Sequence, residues 1–155
     1  MVIENKFLDD IQRIWKENNN GYITYESNQM AISDSKMKQL VWQEDNIVMA
    51  YAIVYLGNDF FEKEKIPNKI KNLPNDVAYI WEIVTDKKYA GRGIANKLIN
   101  YILEKYDNIP IYSCIDTTNI PSLRLHEKNG FKILYNFDKN SGNKLTHHVI
   151  MGTNV

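Results

Sequence analysis

Apolar residues recur at helical spacing near the start of the chain: Phe7, Leu8, Ile11, Ile14 and Trp15, with charged residues between them. The spacing predicts a helix over about Lys6 to Glu17, ended by Asn18-Asn19-Asn20-Gly21 with Gly21 as its stop. Tyr22 to Tyr25 reads as a short extended piece, and Ile32 to Lys38 is ambiguous. Leu40 to Gln43 and Ile47 to Leu56 are β-rich and separated by the turn cluster Glu44-Asp45-Asn46. They predict an antiparallel hairpin whose second strand, apolar at nearly every position, is buried on both faces. Gly57 to Asp76 breaks the pattern: it is polar, holds Pro67 and Pro74 and has no clear period. Connections this long are often binding loops or lids. The plainer alternative is a solvated loop anchored by Phe60 and Phe61.

The second half alternates more cleanly. Val77 to Thr85 is a strand, Tyr89 to Gly93 a turn, and a helix follows from about Gly93 to Tyr106 with Ile94, Leu98, Ile102 and Tyr106 on one stripe. Ile111 to Ile115 is a short apolar strand. Asn119 to Asn129 is a helix with Pro121 in its first turn and Gly130 just past its end. Phe131 to Phe137 and Lys144 to Met151 close the chain as two strands around the turn Asp138 to Gly142. This order predicts an α/β (α+β) fold: a mixed central β-sheet flanked by helices, with a crossover between two parallel strands. At 155 residues, a single domain over residues 1–155 is expected.

Composition narrows the function. Lys plus Arg and Asp plus Glu both number 19, so the formal net charge is zero. A protein that grips phosphate backbones needs a basic excess, so no nucleic-acid partner is expected. The first ten residues lack an unbroken apolar run and carry acids early, unlike a secretory leader. The longest apolar run is Ile47 to Leu56, far short of the roughly 20 residues of a membrane helix. No membrane partner and a cytoplasmic location are therefore expected. The single cysteine, Cys114, can form neither an intrachain disulfide nor a cysteine-based zinc site, and it should pack mid-strand as a small apolar residue. His147 and His148 are adjacent on a strand and face opposite ways, a poor arrangement for one metal. No metal is expected. The oligomeric state stays open, a homodimer included.

Three features carry candidate chemistry. Ala90-Gly91-Arg92-Gly93-Ile94-Ala95 lies between a buried strand and an amphipathic helix. Glycines admit close approach of a ligand to the backbone, and a helix start presents unpaired N–H groups to an anion. A tight turn explains the two glycines equally well. The segment is not a P-loop, because Lys-Ser/Thr does not follow the second glycine, and Asn96 stands where a dinucleotide fingerprint has its third glycine. The second feature is Glu82. Strict alternation places it with Ala78, Ile80 and Val84, opposite Tyr79, Trp81 and Ile83. A carboxylate in an apolar row is costly unless it is paired or functional. The third is Asn119, Ser122 and His126, which share one helix face by spacings of three and four. They read as a ligand-lining stripe or, more simply, as an N-cap, a small packing residue and a surface histidine.

The order and spacing of these features resemble the GNAT superfamily of acyl-CoA-dependent N-acetyltransferases. Its main motif is a strand, then Gln/Arg-x-x-Gly-x-Gly/Ala, then a helix; Ala90 to Ala95 matches it except at Ala90, where Gln or Arg is usual. Its second motif reads Asn-x-x-Ala/Ser-x-x-Leu-Tyr-x-x-x-Gly-Phe. Asn119 to Phe131 matches it with His126 in place of the Tyr, a version similar to acetyltransferases of the phosphinothricin type. The resemblance is specific over Val77 to Phe131 and fits as topology over about Leu40 to Met151. It implies a GNAT fold with a strand-turn-helix acetyl-CoA site and transfer of an acetyl group to an amine acceptor, a small molecule or a peptide. It implies that Gly91, Arg92, Gly93, Ile94 and Ala95 hold the pyrophosphate, that Ile83, Val84 and Thr85 pair with the pantetheine arm, and that Asn119 and Ser122 line that arm. Glu82 is the implied base. His126 is the implied acid for the departing thiolate, a role that requires surroundings that hold its pKa up. The rival from another class is a non-catalytic acyl-CoA-binding module of the same fold.

Overall fold

The Asp45-Asn46 link between the first two long strands is a two-residue turn with both residues at positive φ, 49° and 63°. Such turns match the twist of a hairpin, and short polar side chains tolerate the left-handed backbone. In this computed structural model, which describes residues 2–4, 8–18 and 34–153, the hairpin joins β2 (Met37–Glu44) to β3 (Ile47–Leu56). β1 (Val2–Glu4) pairs with β2, and α1 (Leu8–Asn18) occupies the helix read from the first apolar stripe. The extended piece expected at Tyr22 to Tyr25 and the helix stop at Gly21 lie outside the described residues.

The sheet has seven strands in the order β1-β2-β3-β4-β5-β7-β6. Here β4 is Ala78–Thr85, β5 Ile111–Asp116, β6 Lys132–Ser141 and β7 Lys144–Gly152. The β4–β5 pair is parallel, and the crossover between them carries α3 (Ile94–Lys105). α4 (Ile120–Lys128) joins β5 to β6. Thus the mixed sheet and its crossover are as the pattern predicts.

One face of the sheet packs Ile94, Leu98, Ile99 and Ile102 of α3 on Ala50, Ala52, Val54, Ala78 and Ile80. The alanines let the helix sit close to the strands. The other face buries Ile11 and Ile14 of α1 with Tyr51, Ile53, Tyr55 and Phe60. Each fully buried Ile contributes roughly 1.5–3 kcal/mol. β3 runs between the layers with Val48 to Tyr55 buried throughout, as its two-faced apolar pattern requires.

Two expectations change. Gly57 to Asp76 is not wholly irregular: it contains α2 (Phe60–Glu64). Phe60 stacks on Tyr79 at 4.3 Å and is fully buried, so the aromatic pair staples the segment to the sheet. The last hairpin turns at Gly142-Asn143 rather than over Asp138 to Gly142, because Asp138 to Ser141 continue β6 opposite Lys144 to His147. Gly142 takes φ 66°, which such a tight turn favours in glycine. Among the described residues no helix is long and apolar enough to cross a membrane.

Candidate active site

β4 and β5 pair only over Ala78–Ile80 and Ile111–Ser113. Beyond the Ile80–Ser113 pair the ladder between the two strands ends and the strands part. The gap is a cleft of about 420 Å³ walled by Ile80 to Thr85, Ser113 to Asp116 and, from α4, Asn119, Ser122 and His126. A second groove of about 290 Å³ shares Ile83, Asn119 and Ser122 and adds Ala95, Pro121 and Leu125. It leads toward the first turn of α3.

That turn leaves its backbone open. Gly91 and Gly93 have φ of 80° and 73°, and Gly93 is the N-cap of α3 with no side-chain cap. A Cβ at either glycine would meet nothing within 4 Å, so open space lies over the backbone here. The unpaired N–H groups of a helix start and its dipole favour a phosphate in such a place. Arg92 places its guanidinium 5.2 Å from the Tyr89 ring, which keeps a positive charge beside the turn. Asp86, 1% exposed, anchors the approach: its side chain accepts the Lys88 amide at 3.0 Å, and Arg13 donates to it at 2.8 Å. Burial opposes the charge on Asp86, but the Arg13 and Lys88 hydrogen bonds outweigh it and hold the carboxyl below its usual range.

Glu82 lies elsewhere than alternation predicts. In the register with β3, Glu82 stands opposite Ile53 and Ile80 opposite Val54, so Trp81 is an extra residue, a bulge. The bulge resets the parity. Ile83 joins the α3 face with Ile80, whereas Trp81 and Val84 join Tyr79 on the α1 face. Glu82 points to that second face, where its carboxylate accepts from the Tyr51 hydroxyl at 2.8 Å. Burial, with the Glu82 charge beside it, drives the Tyr51 phenol far above its ordinary pKa, so it stays protonated and donates. Glu82 therefore keeps Val84 as a row neighbour but lies on the opposite face from Ala78 and Ile80.

The α4 stripe comes together as predicted. Asn119 caps the helix by accepting the Ser122 amide at 3.2 Å, and it also lines both cavities. His126 is not on the surface: it is 2% exposed and meets Phe131 edge-on at 4.9 Å. Its Nδ1 lies 2.7 Å from the Ser122 carbonyl oxygen, which can only accept, so Nδ1 carries the proton. Its Nε2 lies 2.9 Å from Ser113 Oγ, and in the neutral ring it accepts the Ser113 hydroxyl. Burial lowers the His126 pKa below its ordinary value, against the smaller opposing effect of the Ser122 hydrogen bond. The expectation that its surroundings hold the pKa up is not met. A neutral ring with both nitrogens engaged is a poor acid for a thiolate.

Residues 5–131 match the model of the Acetyltransferase (GNAT) family. The chain belongs to that family. No curated protein matches it at a significant level. Solved structures of the same fold include the ribosomal-protein-alanine N-acetyltransferase from Brucella melitensis, at 13% identity and TM-score 0.74, covering 99% of this chain and 98% of that one. Arabidopsis thaliana NAA60 in complex with acetyl-CoA aligns at 14% identity and TM-score 0.73, covering 98% of each chain. A spermidine N-acetyltransferase chimera from Vibrio cholerae and hSSAT aligns at 17% identity and TM-score 0.73, covering 99% of this chain and 94% of that one. As a GNAT acetyltransferase the chain is a transferase of acyl groups.

Tyr51, Asp86, Ser113 and Asp116 join the site without having been singled out in the sequence. Ser113 and Asp116 were the polar positions of an otherwise apolar strand, a signal that was available. Asp86 was a carboxylate just after a buried strand, indistinguishable from a solvated loop acid. Cys114 forms part of the cleft wall, and burial pushes its thiol up to about 12, so it stays a neutral thiol there.

Proposed function

We propose that this GNAT acetyltransferase moves an acetyl group from acetyl-CoA to a primary amine, of a small molecule or a peptide, by direct attack of the amine on the thioester. The observation that carries the reading is the splayed β4–β5 gap, which connects an anion-binding helix start on one side of the sheet to a carboxylate held by a tyrosine on the other. The residues fit acetyl-CoA along that path. Backbone N–H groups of Gly91 to Ala95, with Arg92 beside them, take the pyrophosphate. The groove of Ile83, Ala95, Asn119, Pro121, Ser122 and Leu125 takes the pantetheine arm. The β5-facing side of β4 at Ile83, Val84 and Thr85 lines the cleft, where its backbone meets the arm and the thioester oxygen as it gains charge.

The amine enters from the face that carries Trp81 and Glu82. Glu82 takes the ammonium proton, directly or through a water, while Tyr51 fixes the carboxylate. No enzyme nucleophile is needed for this transfer, and the thiolate, with a thiol pKa of about 8.5, leaves with little help. Ala90 in place of the usual Gln or Arg leaves the phosphate grip to the backbone. Segment 57–76, stapled by Phe60, borders the acceptor face and shapes it. Glu82, aimed at the acceptor side, favours catalysis over a non-catalytic acyl-CoA-binding module. A cytoplasmic enzyme, working alone or as a homodimer, fits a chain whose one cysteine is free.

The test is a panel of amines incubated with the protein and acetyl-CoA, read by release of CoA thiol. Amine-dependent release with at least one amine is expected. Acetyl-CoA binding without release for any amine class would favour the binding module.

A further inference from the structure

Three groups in the cleft stand in the order of a nucleophile, its base and the base's orienter. Ser113 Oγ lies 2.9 Å from His126 Nε2, and His126 Nδ1 lies 2.7 Å from the Ser122 carbonyl oxygen. The carbonyl holds the proton on Nδ1, which leaves the Nε2 lone pair aimed at the serine hydroxyl. This is the arrangement that activates a hydroxyl for attack on an acyl carbon. Its place in the fold is equally specific. Ser113 is the last residue of β5 paired with β4, so its side chain sits at the apex where the strands part. Both Ser113 and His126 line the cleft and are each 2% exposed, so the apex admits little bulk water. The cleft wall of β4, Ile80 to Thr85, begins beside it.

We infer that the Ser113–His126 pair gives this enzyme a second, amine-independent activity: slow hydrolysis of short-chain acyl-CoA through an acetyl-Ser113 intermediate. The inference rests on the acetyl-CoA reading of the cleft. In the first step Ser113 Oγ bonds to the thioester carbonyl carbon and its proton passes to His126 Nε2. The C–S bond breaks, and the departing sulfur takes that proton, giving free CoA thiol. In the second step a water attacks the ester carbonyl and gives a proton to Nε2. The C–Oγ bond breaks, Ser113 recovers the proton and acetic acid leaves. The buried imidazole, held neutral near pH 7, is in the form a base requires. The same ring is the wrong form for an acid. Cys114, next in sequence but with its thiol pushed up to about 12, is the weaker competitor for the acyl group.

The experiment uses the full chain with acetyl-CoA and no amine. CoA binding is measured by calorimetry, thiol release is followed in time, and acid-quenched samples are mapped by peptide mass. CoA binding, release above the buffer rate and one acetyl group on Ser113 are the expected results. Ser113→Ala should abolish both adduct and amine-free release. Ser113→Cys, which keeps a group of similar size beside His126, should restore the adduct as a thioester. Amine-free release should also rise as pH climbs through the His126 pKa, because only the neutral ring accepts the proton. CoA binding with no adduct, or with the acetyl group on Cys114 or a lysine instead, would overturn the second activity while leaving the amine transferase reading intact. Failure to bind CoA at all would remove both.

Discussion

Arg13 on α1 donates a 2.8 Å hydrogen bond to the buried carboxylate of Asp86, 73 residues further along the chain. The same carboxylate group accepts the amide of Lys88 in the short 3-10 turn Lys87–Tyr89 that leads into Gly91. The N-terminal helix is thus tied to the loop that leads into the Gly91–Gly93 turn. Arg13→Ala would leave Asp86 buried with only the local amide to hold it. A loss of about 1–3 kcal/mol in urea unfolding is expected, together with several-fold weaker CoA binding. Unchanged CoA affinity in the destabilised variant would confine the pair to a structural role.

Gly93 separates two effects that a bulky substitution would mix. Its φ of 73° strains most side chains, so Gly93→Val should lower both stability and CoA affinity. Asn tolerates the left-handed backbone far better. Gly93→Asn should therefore keep most of the stability while its side chain enters the open space over the turn and raises the CoA dissociation constant. Thermal unfolding and calorimetry on the two variants check this. Equal CoA affinity in Gly93→Asn and the parent would place the pyrophosphate elsewhere.

Glu82 should govern rate rather than binding. Glu82→Gln keeps the shape and removes the base, so kcat should fall by roughly 10²–10⁴-fold, with CoA affinity retained. Tyr51→Phe removes only the donor at 2.8 Å and should lower kcat less. Steady-state kinetics with one accepted amine decide it, and a Glu82→Gln variant with parental kcat would assign the base to another group.

His126 predicts a pH dependence with a definite sign. Burial holds its folded pKa below 6.5, so the unfolded chain takes up a proton at higher pH than the folded chain does. The stability this group confers is complete above about pH 6.5 and is lost as pH falls through the folded value. His148, also lowered chiefly by burial, acts in the same sense. His126→Gln should flatten the acid side of the melting temperature against pH. An NMR titration of the His126 ring should find its midpoint below 6.5, and a midpoint above that would restore its candidacy as an acid.

Most elements were legible because their periods are simple. The stripe of Ile94, Leu98 and Ile102 and the apolar run of β3 each admit one reading. Glu82 was misplaced because a bulge inserts one residue, and period-two alternation carries no mark of an insertion at Trp81. The Asn119, Ser122 and His126 stripe was legible from helical spacing, but the burial of His126 was not. That burial depends on α4 lying against β5 at Ser113, a contact between segments that no local pattern encodes. Asp86 was invisible for the same reason, since its partner lies on α1.

The short β4–β5 pairing has a mechanical side. Three residue pairs, Ala78–Ile80 with Ile111–Ser113, are the whole seam between the four-stranded and three-stranded halves of the sheet. A ligand lying in the cleft between β4 and β5 would act as a splint across that seam, touching both strands where they part. Amide exchange at the seam should then slow when CoA binds, even though the seam lies outside the Gly91–Gly93 turn. The cofactor would be, in effect, a removable piece of the sheet.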